Sequence, residues 1–116
     1  MQFSLATFIV AALATSVNAT VYLGTRTGID GAQTKVAWTN GTPDICSGFA
    51  NVSPASEIPC DRDFYVDGNN GPFRFAGCGG AGLTLLRNGQ FNINCKFAGE
   101  DINCSGDAKI TQEWQC

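Results

Sequence analysis

The sequence predicts an all-β protein, a disulfide-stabilised antiparallel β-sandwich or barrel. Its apolar residues alternate with polar ones in short runs and do not recur at helical spacing. Glycines and prolines fall between these runs, where turns are expected. Cysteines are numerous for so short a chain, and we expect them to pair in three disulfides: Cys46, Cys60, Cys78, Cys95, Cys104 and Cys116.

Residues 1–19, MQFSLATFIVAALATSVNA, are typical of a secretory signal peptide. They contain no Asp, Glu, Lys or Arg, and the apolar run from Leu5 to Leu13 is too short to span a bilayer. The small residues that end at Ala19 suit cleavage before Thr20. We therefore expect an exported, extracellular protein with one disulfide-rich β domain, residues 20–116. An uncleaved anchor is the alternative that the short apolar run disfavours.

Composition excludes several chemistries. The chain has no histidine, which excludes Ser-His-Asp and Cys-His hydrolysis and leaves paired carboxylates as the catalytic option. No cysteines stand in a CxxC pair, so a zinc site is not expected. The net charge is -3 and no basic cluster is present, which disfavours nucleic acid and anionic membranes as partners. We predict a monomer that is not an enzyme and has no cofactor, metal ligand or catalytic residue.

The first half of the mature chain predicts two strands and a long loop. VYLGTR from Val21 and KVAWT around Trp38 read as strands, and GIDGAQ between them reads as the turn. Residues 45–59 lack periodicity and contain two prolines. We expect a long loop there, held by Cys46 and Cys60.

The dipeptide Asn88-Gly89 predicts a hairpin in LTLLRNGQFNI, because both residues tolerate the positive φ of a type I′ turn. That turn places Leu86 opposite Phe91 and Thr84 opposite Ile93.

A second hairpin is predicted at Gly99-Glu100, which aligns Phe97 with Ile102 and Cys95 with Cys104. This register favours a disulfide between Cys95 and Cys104, although the other pairings stay open. It also predicts that the face bearing Phe91, Ile93 and Phe97 is buried.

The last segment, KITQEWQC, alternates with period two, so we expect a final strand with Ile110, Trp114 and Cys116 on one buried face. The terminal cysteine would fasten this strand by a disulfide.

The segment CDRDFYVDGNNG admits three interpretations. As an EF-hand loop from Asp61 it fails, because Tyr65, Val66 and Pro72 stand where a ligand, a glycine and a glutamate are needed. Asp61 and Asp63 would share one face of a strand and could act as a catalytic pair. The favoured interpretation is a hairpin, with DFYV and PFRF as its strands and residues 67–71 as its turn.

Two kinds of glycan contact are open. Trp38, Trp114, Tyr22 and Tyr65 could form a stacking platform for sugars, although Trp114 is better explained as core. The sequons that begin at Asn40 and Asn103 are possible glycosylation sites.

The signal-like leader, the glycine-rich mature part and the six spaced cysteines together resemble the small secreted cysteine-rich proteins of filamentous fungi. That resemblance implies an effector or elicitor that acts in the plant apoplast. The segment CDRDFYVDGNNGPFRFAGCGG also looks like part of the thaumatin-like proteins, which implies a β-sandwich, and it matches them at Cys60, Asp67, Gly71, Cys78, Gly79 and Gly80.

The functional expectation is a secreted, non-enzymatic, effector-like protein whose loops bind an extracellular protein or glycan of a host or competitor. Two alternatives are kept. One is a carbohydrate- or wall-binding protein that uses Trp38 or the Asp61 and Asp63 pair. The other is an inhibitor of a secreted hydrolase that inserts the loop at residues 45–59 into an active site.

Overall fold

The computed structural model describes residues 20–66, 72–80 and 82–116, which form two antiparallel β-sheets. The predicted signal peptide and the predicted turn at residues 67–71 lie outside the described residues. Nine strands, one short helix and one 3-10 turn follow in the described part, in the order β1 (Val21–Thr27), β2 (Gln33–Thr39), α1 (Ile45–Gly48), β3 (Ala50–Pro54), β4 (Asp63–Phe64), β5 (Phe73–Ala76), β6 (Thr84–Arg87), β7 (Gln90–Asn94), β8 (Lys96–Asn103), the 3-10 turn (Ser105–Asp107) and β9 (Lys109–Gln115).

The all-β prediction is confirmed. One sheet has five strands in the order β3-β2-β1-β9-β8, and the other has four in the order β4-β5-β6-β7. Neither sheet closes on itself, and a single apolar core lies between them, so the architecture is a sandwich and not a barrel.

The first predicted hairpin is present. β1 and β2 pair with Val21 opposite Thr39, and the Gly28 amide donates to the Ala32 carbonyl at 2.9 Å to close the connection. β1 also pairs with β9, which makes it the central strand of the five-stranded sheet.

The Asn88-Gly89 turn is confirmed, since the two residues have φ of 55° and 78°. Leu86 lies opposite Phe91 as predicted. The other predicted pair is wrong, because a bulge between Leu85 and Leu86 shifts the register and sets Ile93 opposite Leu85. One extra residue in β7 is enough to move every later side chain to a different partner.

The predicted hairpin at Gly99-Glu100 is wrong. β8 runs without interruption from Lys96 to Asn103 and pairs with β9 along its length, with a bulge between Phe97 and Glu100. The chain reverses at the 3-10 turn instead, where Gly106 has a positive φ. A long partner strand offers more backbone hydrogen bonds than a two-residue hairpin can, so β8 stays extended.

Residues 45–59 are not a long loop, which corrects a second expectation. Asp44 caps α1, its carboxylate accepting from the Cys46 amide at 3.1 Å, and β3 then pairs with β2 so that Lys35 lies opposite Ser53. Period-two alternation is weak in β3 because this short edge strand has polar and apolar residues side by side.

All six cysteines form disulfides, but the predicted bond between Cys95 and Cys104 is wrong. The bonds join Cys46 to Cys104, Cys60 to Cys78, and Cys95 to Cys116. Because β8 is one continuous strand, Cys95 and Cys104 lie at its two ends and cannot face each other.

Core residues fall on both faces of the five-stranded sheet. Between the sheets pack Val21 and Leu23 from β1 with Phe73 and Phe75 from β5, and Leu85 from β6. The opposite face holds a smaller cluster of Val36, Trp38 and Ile110, against which Ile45 and Phe49 pack from the α1 region.

A bulge in β9 overturns the predicted alternation of the last strand. Leu23 pairs with Trp114 whereas Gly24 pairs with Gln112, so Glu113 is an extra residue. Ile110 therefore packs on the outer face of the sheet, while Trp114 packs against the core between the sheets. Gly24 permits this geometry, because a Cβ there would overlap the Thr111 carbonyl.

Candidate functional site

The two aspartates at the head of the CDRDFYVDGNNG segment do not share a strand face. Asp61 has φ of 66° and precedes β4, whereas Asp63 lies within it. Asp63 accepts a hydrogen bond from Arg74 Nε at 2.8 Å across the strand pair. This hydrogen bond, with the charge of Asp63, raises the pKa of Arg74 above its ordinary value. The catalytic interpretation thus loses its geometric basis, since Asp63 is engaged in an exposed ion pair.

The predicted aromatic platform is not formed. Trp38 is 1% exposed and stacks on Tyr22 at a centroid distance of 5.7 Å, so its face is not available to a sugar. Trp114 lies on the other side of the same sheet and is half-buried. Tyr65 is exposed.

Both sequon asparagines lie at the surface. Asn40 follows β2 and its side-chain oxygen accepts from the Thr20 amide at 3.3 Å. Asn103 ends β8 directly before Cys104. Their exposure leaves both amides accessible for glycan attachment.

Exposed apolar side chains lie on β7 and β8, which belong to different sheets. Phe91 is 62% exposed, Ile93 is 44% exposed and Phe97 is 69% exposed. The sequence predicted these three residues to be buried, and that prediction is wrong. β7 and β8 each end their sheet in the described part of the chain, and every residue of β7 is exposed. We call Phe91, Ile93 and Phe97 the edge surface.

A second feature is an ion pair on the inner face of the five-stranded sheet. Lys35 Nζ lies 2.9 Å from Glu113 Oε1 and donates to Thr25 Oγ1 at 2.9 Å. Thr25 Oγ1 in turn donates to Glu113 Oε2 at 3.2 Å. The side chains of Lys35 and Glu113 are 21% and 29% exposed, so the pair is partly withdrawn from solvent.

Two cavities share this ion pair in their linings, and we call them together the ion-pair cleft. The polar cavity, of about 410 Å³, is lined by Thr25, Thr27, Gln33, Lys35, Ala55, Lys109, Thr111 and Glu113. The second cavity, of about 320 Å³, has Leu23, Ile58, Leu83 and Trp114 in its wall beside the same Lys35 and Glu113.

Lys35 and Glu113 were not among the candidate site residues predicted from the sequence. Lys35 is the single charge of the predicted strand KVAWT, and Glu113 shares the predicted strand KITQEWQC with Lys109. The opposite signs of Lys35 and Glu113 are the signal that was available. Their contact depends on β1 lying between β2 and β9 and on the bulge that turns Glu113 inward. Neither feature could be read from alternation.

Among the described residues, no group of three or more His, Cys, Asp and Glu side chains could hold a metal ion. In the same part of the chain, no helix is long and apolar enough to cross a membrane. Comparison with protein-family models, with curated proteins and with solved structures finds no match for this chain.

Proposed function

We propose that this chain is a secreted, non-enzymatic protein that binds an extracellular protein target through the edge surface. The observation that carries the proposal is the exposure of Phe91, Ile93 and Phe97 on β7 and β8, two strands that follow each other in the chain and each end their own sheet in the described region. Fully burying one such side chain contributes about 1.5–3 kcal/mol, and aromatic residues are frequent among the residues that dominate binding energy.

The position of these side chains favours a protein partner that presents an extended segment. β7 and β8 are terminal strands of their sheets in the described region, so an added strand could pair with their backbone while its side chains cover the apolar residues. Lys96, Glu100 and Asp101 on β8 provide charges beside the apolar residues, as in the polar rim of an interface. This arrangement uses strands, where the sequence had suggested loops.

An extracellular location is supported by three disulfides, which persist in oxidising compartments. The signal-like residues 1–19 and the resemblance to small secreted fungal proteins point the same way. They support plant apoplastic fluid as the first place to search for the target.

The hydrolase-inhibitor alternative loses support. Its inserting loop was residues 45–59, and this segment contains α1 and β3, with β3 paired to β2. What remains between β3 and β4 is a short connection that carries the exposed Ile58.

The proposal is tested by capture of proteins from apoplastic fluid on the immobilised, oxidised mature chain, compared across variants. We expect Phe91→Ser and Phe97→Ser to lose the captured protein that the unchanged chain retains. Ile29→Ser is the matched control, because Ile29 is 75% exposed and lies in the connection between β1 and β2.

If Ile29→Ser lost the captured protein to the same extent as Phe91→Ser and Phe97→Ser, capture would be nonspecific apolar adsorption, which would contradict the proposal. So would unchanged capture by Phe91→Ser and Phe97→Ser, provided that thermal melts show all three variants to be folded.

A further inference from the structure

The ion-pair cleft combines hydrogen-bonding groups and apolar wall in adjoining spaces. On one side of the Lys35 and Glu113 pair lie the side chains of Thr27, Gln33 and Thr111, and on the other lie Leu23 and Trp114. Ligand sites in proteins are concave and of about this size, and a few placed polar groups in them fix the ligand's orientation.

We propose that this cleft binds a neutral carbohydrate, of the size of a mono- or disaccharide unit. The site goes beyond the proposed protein interface, because Phe91, Ile93 and Phe97 are not among the residues that line its two cavities.

The ion pair is suited to a hydroxyl-rich ligand. The Lys35 ammonium has three N–H donors and uses two of them, on Thr25 and Glu113. Glu113 Oε1 accepts from Lys35 and Glu113 Oε2 accepts from Thr25 Oγ1, and each oxygen keeps further acceptor capacity. A sugar hydroxyl both donates and accepts, so two adjacent hydroxyls can engage the carboxylate and the ammonium together.

Charge at the ion pair favours a neutral ligand over an ionic one, and the other cation of the lining, Lys109, is exposed and therefore screened by solvent. An anion that reaches Lys35 must also approach Glu113, and a cation that reaches Glu113 must approach Lys35, since the charged groups are 2.9 Å apart. In a partly buried site, each unfavourable approach is weakly screened by water.

The second cavity supplies an apolar wall with an aromatic ring, against which the C–H face of a sugar ring can pack. Trp114 is held from behind by the core and at its edge by Phe97, at a centroid distance of 5.8 Å. Cys78 and Pro59 form part of the opposite wall, and the disulfide between Cys60 and Cys78 fixes them in place. A wall held in this way reduces the entropy lost on binding.

The test is an NMR titration of the ¹⁵N-labelled oxidised mature chain. The probes are cellobiose, xylobiose, mannobiose and N,N′-diacetylchitobiose, with galacturonic acid and glucosamine as charged counterparts. We expect at least one neutral disaccharide to shift the amide signals of Lys35, Thr111 and Glu113 and the indole signal of Trp114 in a saturable manner.

Glu113→Gln removes the acceptor charge and should weaken that binding by about tenfold or more. Glu57→Gln is the matched control, because Glu57 forms an exposed ion pair with Arg62 and lines neither cavity. Should Glu113→Gln not fold, Lys35→Met with Glu113→Leu removes both charges without leaving one unpaired.

The proposal is overturned if no neutral disaccharide shifts these signals, if a charged sugar binds more tightly than every neutral one, or if Glu113→Gln binds as well as Glu57→Gln does. Phe91→Ser should leave the sugar-induced shifts unchanged, which separates this site from the edge surface. If no sugar binds, the protein can still capture its target through Phe91. If Phe91→Ser does not reduce capture, the cleft can still bind a sugar.

Discussion

Phe75 on β5 and Phe91 on β7 belong to the same four-stranded sheet, yet Phe75 is fully buried and Phe91 is largely exposed. Both lie in strands where apolar and polar residues alternate. Phe75 faces the five-stranded sheet, where it stacks on Phe64 at 5.1 Å, whereas Phe91 lies opposite Leu86 in the outermost strand.

The comparison teaches that alternation assigns a side chain to a face but does not say whether that face is covered. Coverage depends on the second layer and on the position of the strand within its sheet. At the junction of β7 and β8, the disulfide between Cys95 and Cys116 fastens this exposed region to the residue that follows β9.

The largest expected effect comes from truncating the covered ring. Phe75→Ala should lower the free energy of unfolding by about 3–5 kcal/mol, because it leaves a cavity between the sheets. Phe91→Ala should change it by less than about 0.5 kcal/mol, as is usual at the surface. Urea unfolding of both variants measures the difference, and equal losses would show that the edge surface is covered in solution.

Removal of the disulfide that fastens the exposed region comes next. Cys95→Ala with Cys116→Ala should cost about 3 kcal/mol, through the greater freedom of the unfolded chain. Thermal melts measure the loss, and thiol titration of both proteins should find no reactive thiol. A non-reduced digest that links Cys95 to Cys104 instead would contradict the strand order at this edge.

A loss of stability of intermediate size should distinguish the centre of the five-stranded sheet from its edge. Gly24→Ala should cost about 1–3 kcal/mol, because its Cβ meets the Thr111 carbonyl in the central strand. Gly99→Ala on β8 is the matched control, since its Cβ would lie 3.3 Å from the exposed Phe97 ring, which can move away, and at an ordinary contact distance of 3.8 Å from the Gln112 carbonyl oxygen. Similar melting temperatures for the two variants would mean that the bulge in β9 opposite Gly24 relaxes freely.

The smallest effect is expected at the exposed carboxylates. Asp61→Asn with Asp63→Asn should leave the unfolding midpoint and target capture unchanged, because solvent screens the pair of Asp63 with Arg74. In the same assay, Phe91→Ser is the positive control for loss of target capture. A folded double variant that no longer captures the target would assign these aspartates a direct role in binding.

The β class, the hairpin between β1 and β2, the Asn88-Gly89 turn and the complete pairing of cysteines followed from the sequence alone, because alternation, turn chemistry and thiol count are local properties. The disulfide partners, the inward Glu113, its contact with Lys35 and the exposure of Phe91 and Phe97 were decided only by the tertiary structure. Each depends on bulges or on which strand lies beside which. A single extra residue in a strand moves each later side chain to the opposite face of the sheet. The sequence pattern does not mark where that residue is accommodated.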